Sequence, residues 1–213
     1  MSKVQLYACL GSGNCFKPWL ALHQVARAFE LHLVDVRKGE QKAPGYLQVN
    51  PLGVVPYLVT PDGVGIGESN AMLWYLCEGT HLMPEDPGKR AEALQWMFFE
   101  QSKLEPFISP ARFFSTILPG MAAERADDIA EWQEKARPGL ARLNDHLGQN
   151  RFVLGEEYCL ADIAVFGYTH VLAEAGLSID DVSHVARWIE DVTQTEGFVP
   201  LSTLGAEAAT KAA

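Results

Sequence analysis

Residues 49–59 read Val-Asn-Pro-Leu-Gly-Val-Val-Pro-Tyr-Leu-Val, followed by Asp62-Gly63 and then by Gly67-Glu68-Ser69-Asn70 at the head of an apolar run. The order predicts a loop feeding a short strand through Val55-Pro56, a tight turn, a second strand, and a helix that opens at the acidic-hydroxyl pair. A proline directly before a strand often marks a cis bond, which turns the preceding residue's main chain toward something extended. Ser69 is suited to cap the helix, and the backbone amides behind it can hold a carboxylate. Glu68 offers a counter-charge to an ammonium group. A small zwitterion with a peptide backbone satisfies all three features.

Outward from this stretch, residues 3–8 alternate and predict a strand. From about Cys15 to Glu30 the period turns helical, with Leu20, Leu22, Val25, Ala26 and Phe29 on one apolar face and Pro18 in the first turn, where a missing amide hydrogen costs little. Leu31 to Val36 reads as a second strand, which makes a β-α-β unit with parallel pairing. Pro61-Asp62-Gly63 joins two short strands as a hairpin. Ser69 to Glu78 is apolar nearly all round, hence a buried helix. Gly79 to Gly88, with Pro84 and Pro87, reads as a linker.

Everything beyond is helical in pattern. Lys89 to about Ile117 is long and amphipathic, with Pro106 and Pro110 expected to kink or interrupt it. Glu124 to Gly148 follows, with a break allowed at Pro138-Gly139. Leu160 to Ala175 is mostly apolar and should run through the centre of its domain; a last helix covers roughly Ser183 to Thr195. A short Ala-rich tail after Gly205 should fray. The fold class is therefore α+β over residues 1–79 in the order βαβ-ββα, a linker at 80–88, and an all-helical domain over 89–213.

Composition bounds the function without naming it. The chain has 213 residues, 48% of them hydrophobic and 21% charged, which is ordinary for a globular protein. A formal net charge of −10 argues against nucleic acid or an anionic membrane as partner. No signal-like N-terminus and no long apolar span is visible. Four scattered cysteines, Cys9, Cys15, Cys77 and Cys159, have neither C-x-x-C nor metal-ligand spacing. A reducing, cytoplasmic setting with free thiols and no metal is the simplest expectation. None of the six histidines is spaced as a metal ligand either.

The segment Leu6-Tyr7-Ala8-Cys9-Leu10-Gly11-Ser12-Gly13-Asn14-Cys15-Phe16-Lys17 closes the first strand and opens the first helix, the ligand edge of an open α/β sheet. Donors at a helix N-terminus stabilise negative charge there. Ser12 and Asn14 can add a charge-assisted bond of roughly 1.5–3 kcal/mol to a thiolate. Lowering a thiol's pKa by about two units needs only about 2.7 kcal/mol. The plainer alternative is that both residues merely cap the helix. Cys15 and Cys9 read as buried filler.

With Asn50-Pro51, Gly53, Val55-Pro56 and Glu68-Ser69 in this order, the chain resembles the glutathione S-transferases from about residue 4 to about residue 200. The resemblance implies a thioredoxin-like first domain in which Val55 and Pro56 bind the cysteinyl backbone of glutathione and Glu68 and Ser69 hold its γ-glutamyl end. The Ser-x-Asn-Cys-x-Lys run is similar to that of the bacterial theta- and nu-like groups, which implies a catalytic Ser12 supported by Asn14. It further implies a detoxifying transferase that joins glutathione, as co-substrate rather than cofactor, to a hydrophobic electrophile. The electrophile would sit near Leu10, Phe107, Ser109 and Arg112, and the protein would be a homodimer. Two other readings stay open: a glutathione-dependent disulfide-bond reductase using the same site, and a non-catalytic binding protein of the same fold.

Three departures from the family pattern matter. Val54 stands where relatives commonly carry a cation for the glycyl carboxylate, unless Lys38 or Lys42 reaches in. Lys17-Pro18-Trp19 replaces a Lys-Val-Arg run. Cys159 replaces a capping Ser or Thr ahead of Asp162, which should cost roughly 1 kcal/mol of helix capping. Asp162 itself reads as a folding residue.

Overall fold

The structure is a computed structural model and describes residues 3–206. The chain divides into two compact units, residues 3–80 together with 196–206, and residues 81–195. The Ala-rich tail expected to fray lies outside the described residues beyond Ala206.

The first unit contains β1 (Val4–Ala8), α1 (Gly13–Gln24), β2 (Phe29–Leu33), α2 (Pro44–Val49), β3 (Tyr57–Val59), β4 (Gly65–Ile66) and α3 (Ser69–Cys77). Its sheet has the order β2-β1-β3-β4. β1 runs parallel to β2, with Val4 opposite Phe29 and Ala8 opposite Leu33. β3 is antiparallel to both β1 and β4, which places Leu6 opposite Leu58 and Leu58 opposite Ile66. Val4, Leu6 and Ala8 are buried and alternate with the more exposed Gln5 and Tyr7, the period of a strand with one core face. α1 and α3 pack on each other, burying Leu20, Leu22, Leu73 and Leu76. Each such leucine contributes roughly 1.5–3 kcal/mol. The architecture is the expected βαβ-ββα order, with the short α2 added between its halves.

The first helix differs from its sequence reading at the C-terminal end. It stops at Gln24, and Phe29, assigned by periodicity to the helix face, opens β2 instead. The stop is a Schellman-type turn. Arg27 N–H donates to Leu22 C=O at 2.9 Å and Ala26 N–H to His23 C=O at 3.0 Å, with Ala26 at φ 49°. This position is normally glycine, so an alanine there left no stop signal to read.

The second unit is helical: α4 (Pro87–Phe99), α5 (Glu105–Arg112), α6 (Ala126–Leu147), α7 (Leu160–Thr169) and α8 (Ser183–Thr193). α4 starts two residues before the expected Lys89, because Asp86 caps it by accepting Lys89 N–H and Pro87 occupies the first turn. The expected interruption near Pro106 takes the form of a π-helical segment, Glu100–Leu104, in which Glu105 N–H bonds to Glu100 C=O. A second, Phe113–Ile117, follows α5. The wider turn absorbs the bond a proline cannot make.

α6 continues through Pro138 without a break. Gly139 is the reason for the sequence there: a Cβ on it would lie 2.7 Å from the Lys103 carbonyl, so only glycine lets α6 approach the π segment. All ten residues of α7 are buried. Asp162, also fully buried, accepts Val153 N–H at 2.9 Å, Cys159 N–H at 3.0 Å and Trp188 Nε1–H at 2.9 Å. Three donors on one carboxylate compensate for the weak cap at Cys159. Among the described residues no helix is long and apolar enough to cross a membrane.

Candidate functional site

Two turns and the start of α3, all in the first unit, carry the residues singled out by the sequence. The first joins β1 to α1. Ser12 is the N-cap of α1, with extended backbone, and its Oγ accepts Cys15 N–H at 3.2 Å. The oxygen is thus occupied as an acceptor, and its one proton can turn either to the Cys9 sulfur or to a ligand. Asn14 is two positions into the helix, and its Oδ1 accepts the Ser69 hydroxyl at 3.3 Å. This bond spans 55 residues of sequence and ties the start of α1 to the start of α3.

At α3 the cap is displaced by one residue from its reading. Glu68 holds the N-cap position without a side-chain cap bond, and Ser69 is the first helical residue. A residue in the first turn points its hydroxyl away from the capping position, and Ser69 uses its own to reach Asn14. Glu68 is exposed and Ser69 buried. The helix terminus between them presents backbone donors and a positive dipole end.

The second turn is residues 50–56. Asn50, with no exposed surface, holds it from within: its Nδ2 donates to Val54 C=O at 2.8 Å and its Oδ1 accepts Leu52 N–H at 3.1 Å. The Tyr46 hydroxyl, from α2, donates to the same Val54 carbonyl at 2.7 Å. Gly53 sits at φ 61°, and a Cβ there would meet the Gln41 carbonyl at 2.8 Å. With Val54 C=O doubly bonded, the next residue is held in place. Val55-Pro56 is a cis peptide.

The cation question at Val54 has a structural counterpart. Val54 is itself half-exposed and apolar. Lys42, however, leans over the same turn, its Nζ donating to Leu52 C=O at 3.3 Å. Lys38 is instead paired with Asp35 at 3.2 Å. Trp19, where the family run has an arginine, is core, 1% exposed.

Cys9 and Cys15 flank the Ser12 turn. Cys9 is half-buried, Cys15 fully buried, and their sulfurs lie 3.8 Å apart. The hydrogen bond with the Cys15 sulfur pulls the Cys9 pKa below its usual value against the opposing effect of burial, and the Ser12 hydroxyl assists. Burial drives Cys15 well upward.

Family models describe the two halves of this chain: Glutathione S-transferase, N-terminal domain, over residues 11–78, and Glutathione S-transferase, C-terminal domain, over residues 126–191. The chain belongs to the glutathione S-transferase family. A glutathione S-transferase from Pseudomonas fluorescens superposes with a TM-score of 0.90 at 33% identity, over 94% of this chain and 99% of that one. A Burkholderia graminis glutathione transferase, solved with two glutathione molecules per subunit, gives a TM-score of 0.83 at 28% identity over 97% and 88%. The disulfide-bond oxidoreductase YghU of Escherichia coli is 28% identical, covering 89% of this chain and 70% of its own.

In this glutathione S-transferase family member, Ser12, Asn14, Val55, Pro56, Glu68 and Ser69 all belong to the first unit, and Asn14 and Ser69 are in direct contact. Leu10, 58% exposed, stands on the same turn as Ser12. Phe107, Ser109 and Arg112 are on α5 in the second unit, where Ser109 Oγ donates to the Tyr168 hydroxyl at 3.0 Å. Arg112 is almost fully buried and its Nη2 lies 2.8 Å from Glu174 Oε2, so its charge is already matched. Sequence reasoning named Lys42 as one of two candidate cations, and it is the one that reaches this turn; Tyr46 and the inward role of Asn50 were missed. An Asn-Pro pair hinted at Asn50; α2 carried no periodic signal that would have placed Tyr46.

Proposed function

We propose that this protein binds glutathione in its first unit and delivers the thiolate to a hydrophobic electrophile. The observation that carries the reading is the Ser69–Asn14 hydrogen bond at 3.3 Å. It couples the helix terminus suited to the γ-glutamyl carboxylate to the helix terminus suited to the thiol, so one small peptide can meet both. Val55 supplies main-chain pairing for the cysteinyl residue, and Glu68 faces the ammonium group. Lys42 takes the part of the missing cation toward the glycyl carboxylate. Ser12 donates its hydroxyl proton to the thiolate, and the Asn14 amide supports it; a thiol that titrates near ~8.5 when free then ionises closer to neutrality. Phe107, Ser109 and Arg112 belong to the electrophile's side, and the working form is a cytoplasmic homodimer.

Disulfide reduction is the second reading, favoured by the similarity to YghU. It uses the same residues, with bound glutathione attacking a mixed disulfide. Calorimetric titration with glutathione tests the shared premise. Millimolar or tighter binding, abolished or weakened by Ser69→Ala and weakened about two- to fivefold by Lys42→Ala, supports it. Absence of heat at concentrations well above millimolar refutes it and leaves the fold serving another ligand. Turnover of an activated aryl halide against turnover of a mixed disulfide then separates the two reactions.

A further inference from the structure

Two thiols border the Ser12 turn and have no part in the reading above. Cys9 follows the last residue of β1 and Cys15 is the third residue of α1. Their sulfurs stand 3.8 Å apart, and Cys9 N–H donates to Cys15 Sγ at 3.3 Å, which fixes the Cys15 sulfur against the end of the strand. A bond between them needs the sulfurs to close to about 2.05 Å. The connecting turn, Leu10-Gly11-Ser12-Gly13-Asn14, contains two glycines that can take up such a shift. One thiol is reachable from outside; the other has no exposed surface but already faces the first.

We propose that Cys9 and Cys15 form a redox-active dithiol that reduces low-molecular-weight disulfides by exchange and is itself converted to an intramolecular disulfide. Cys9 gives up its proton and its sulfur attacks one sulfur of R–S–S–R′. That bond breaks, R′S⁻ leaves and takes up the proton, and Cys9 is held as the mixed disulfide with R. Cys15 then gives up its proton and attacks the Cys9 sulfur. RS⁻ leaves and is protonated in turn. Two protein thiols have been oxidised and one disulfide reduced to two thiols; two molecules of a monothiol such as glutathione reverse the sequence.

The division of labour follows from position. Only Cys9 can meet an external disulfide, while Cys15 never needs solvent, because its target lies beside it. The shift in the Cys9 thiol noted above agrees with this order. The oxidised ring spans Ser12 and Asn14, so the redox state of the pair reaches the turn that carries both.

The test uses the reduced full-length protein with hydroxyethyl disulfide, quenched in acid, alkylated under denaturing conditions and read as peptide masses. The wild-type peptides carrying Cys9 and Cys15 should be joined, two hydrogens lighter and unalkylated. Cys15→Ala should instead accumulate a hydroxyethylthio adduct on Cys9, and Cys9→Ala should leave Cys15 alkylatable. Full alkylation of both cysteines in the wild type, or a lasting adduct on either without the internal bond, overturns the proposal. The wild-type result is decisive even where a variant at the buried Cys15 fails to fold. Because the probe contains no glutathione, the outcome is independent of the calorimetric titration.

Discussion

The N-termini of α1 and α7 pose the same problem and solve it in opposite ways. Each leaves backbone donors to be satisfied, and each has a cysteine within its first turn or at its cap. At α7 the solution is closed. Asp162 is fully buried, collects three donors from three elements, and its neighbour Cys159 is pushed well up by burial first and by the nearby carboxylate second. At α1 the solution is open. Ser12 satisfies one amide and stands beside two thiols, the buried Cys15 pushed up as Cys159 is and the more exposed Cys9 pulled down. A helix terminus that is filled by its own chain stabilises the fold; one left partly filled is available to a ligand.

The largest expected effect comes from breaking the closed terminus. Asp162→Ala removes the acceptor for three buried donors and should cost about 4 kcal/mol in denaturant unfolding. Glutathione affinity of the folded fraction should be unchanged; a loss of affinity with stability intact would contradict the contrast drawn here.

The other end of α7 sharpens it through pH. His170 stacks on Phe166 with centroids 4.5 Å apart and its Nδ1 lies 2.6 Å from the Phe166 carbonyl. Burial pushes its pKa down from 6.5 to about 4, the Phe166 carbonyl partly opposing. The unfolded chain therefore binds the proton first as pH falls. The stability due to a neutral His170 is complete above pH ~6.5 and is lost as acidity passes about 4, by up to about 3 kcal/mol. His170→Gln should flatten this part of the stability–pH curve, and an unchanged curve would remove His170 from the account.

Much of this was legible from residues and some was not. Pro56, Gly63 and the Glu68-Ser69 pair marked the strand entry, hairpin and helix start, because proline and glycine act locally on the backbone. The Asp162 box was legible for the same reason. The end of α1 was not, since Ala26 adopts a conformation usually reserved for glycine. Nor was Tyr46, whose contact with the 50–56 turn is made across sequence from a short helix with no amphipathic period; of the two cations the sequence offered, only the fold selects Lys42. The Asn14–Ser69 bond is wholly tertiary and has no sequence signature at all.

Two smaller effects probe the open side. Asn50→Ala should leave Val54 C=O to the Tyr46 hydroxyl alone and deprive Leu52 N–H of its acceptor, costing about 2 kcal/mol of stability. Unlike Asp162→Ala, it should also weaken glutathione binding, since the carbonyl ahead of Val55 keeps one bond of two. Equal affinity in titrations of wild type and variant would separate the turn from the ligand. Ser12→Ala should cost only about 1 kcal/mol as a lost cap. Its signature should be kinetic, a fall of roughly ten- to a hundredfold in kcat/KM for conjugation with a rightward shift of the pH–rate profile. A stability change without that shift would return Ser12 to the status of a cap.

The π segments at Glu100–Leu104 and Phe113–Ile117 have a bearing on how the second unit should be mutated. Each amounts to one residue inserted into an otherwise α-helical path, and one residue turns a helix by about 100°. A helical wheel drawn through residues 87–117 as one continuous helix is correct up to Phe99 and rotated by a quarter-turn or more beyond Leu104. Substitutions at Phe107, Ser109 and Arg112 chosen from such a wheel would be aimed at the wrong side of α5. Deleting a single residue within 100–104 should, on the same reasoning, remove the bulge and leave the faces of α5 where they are.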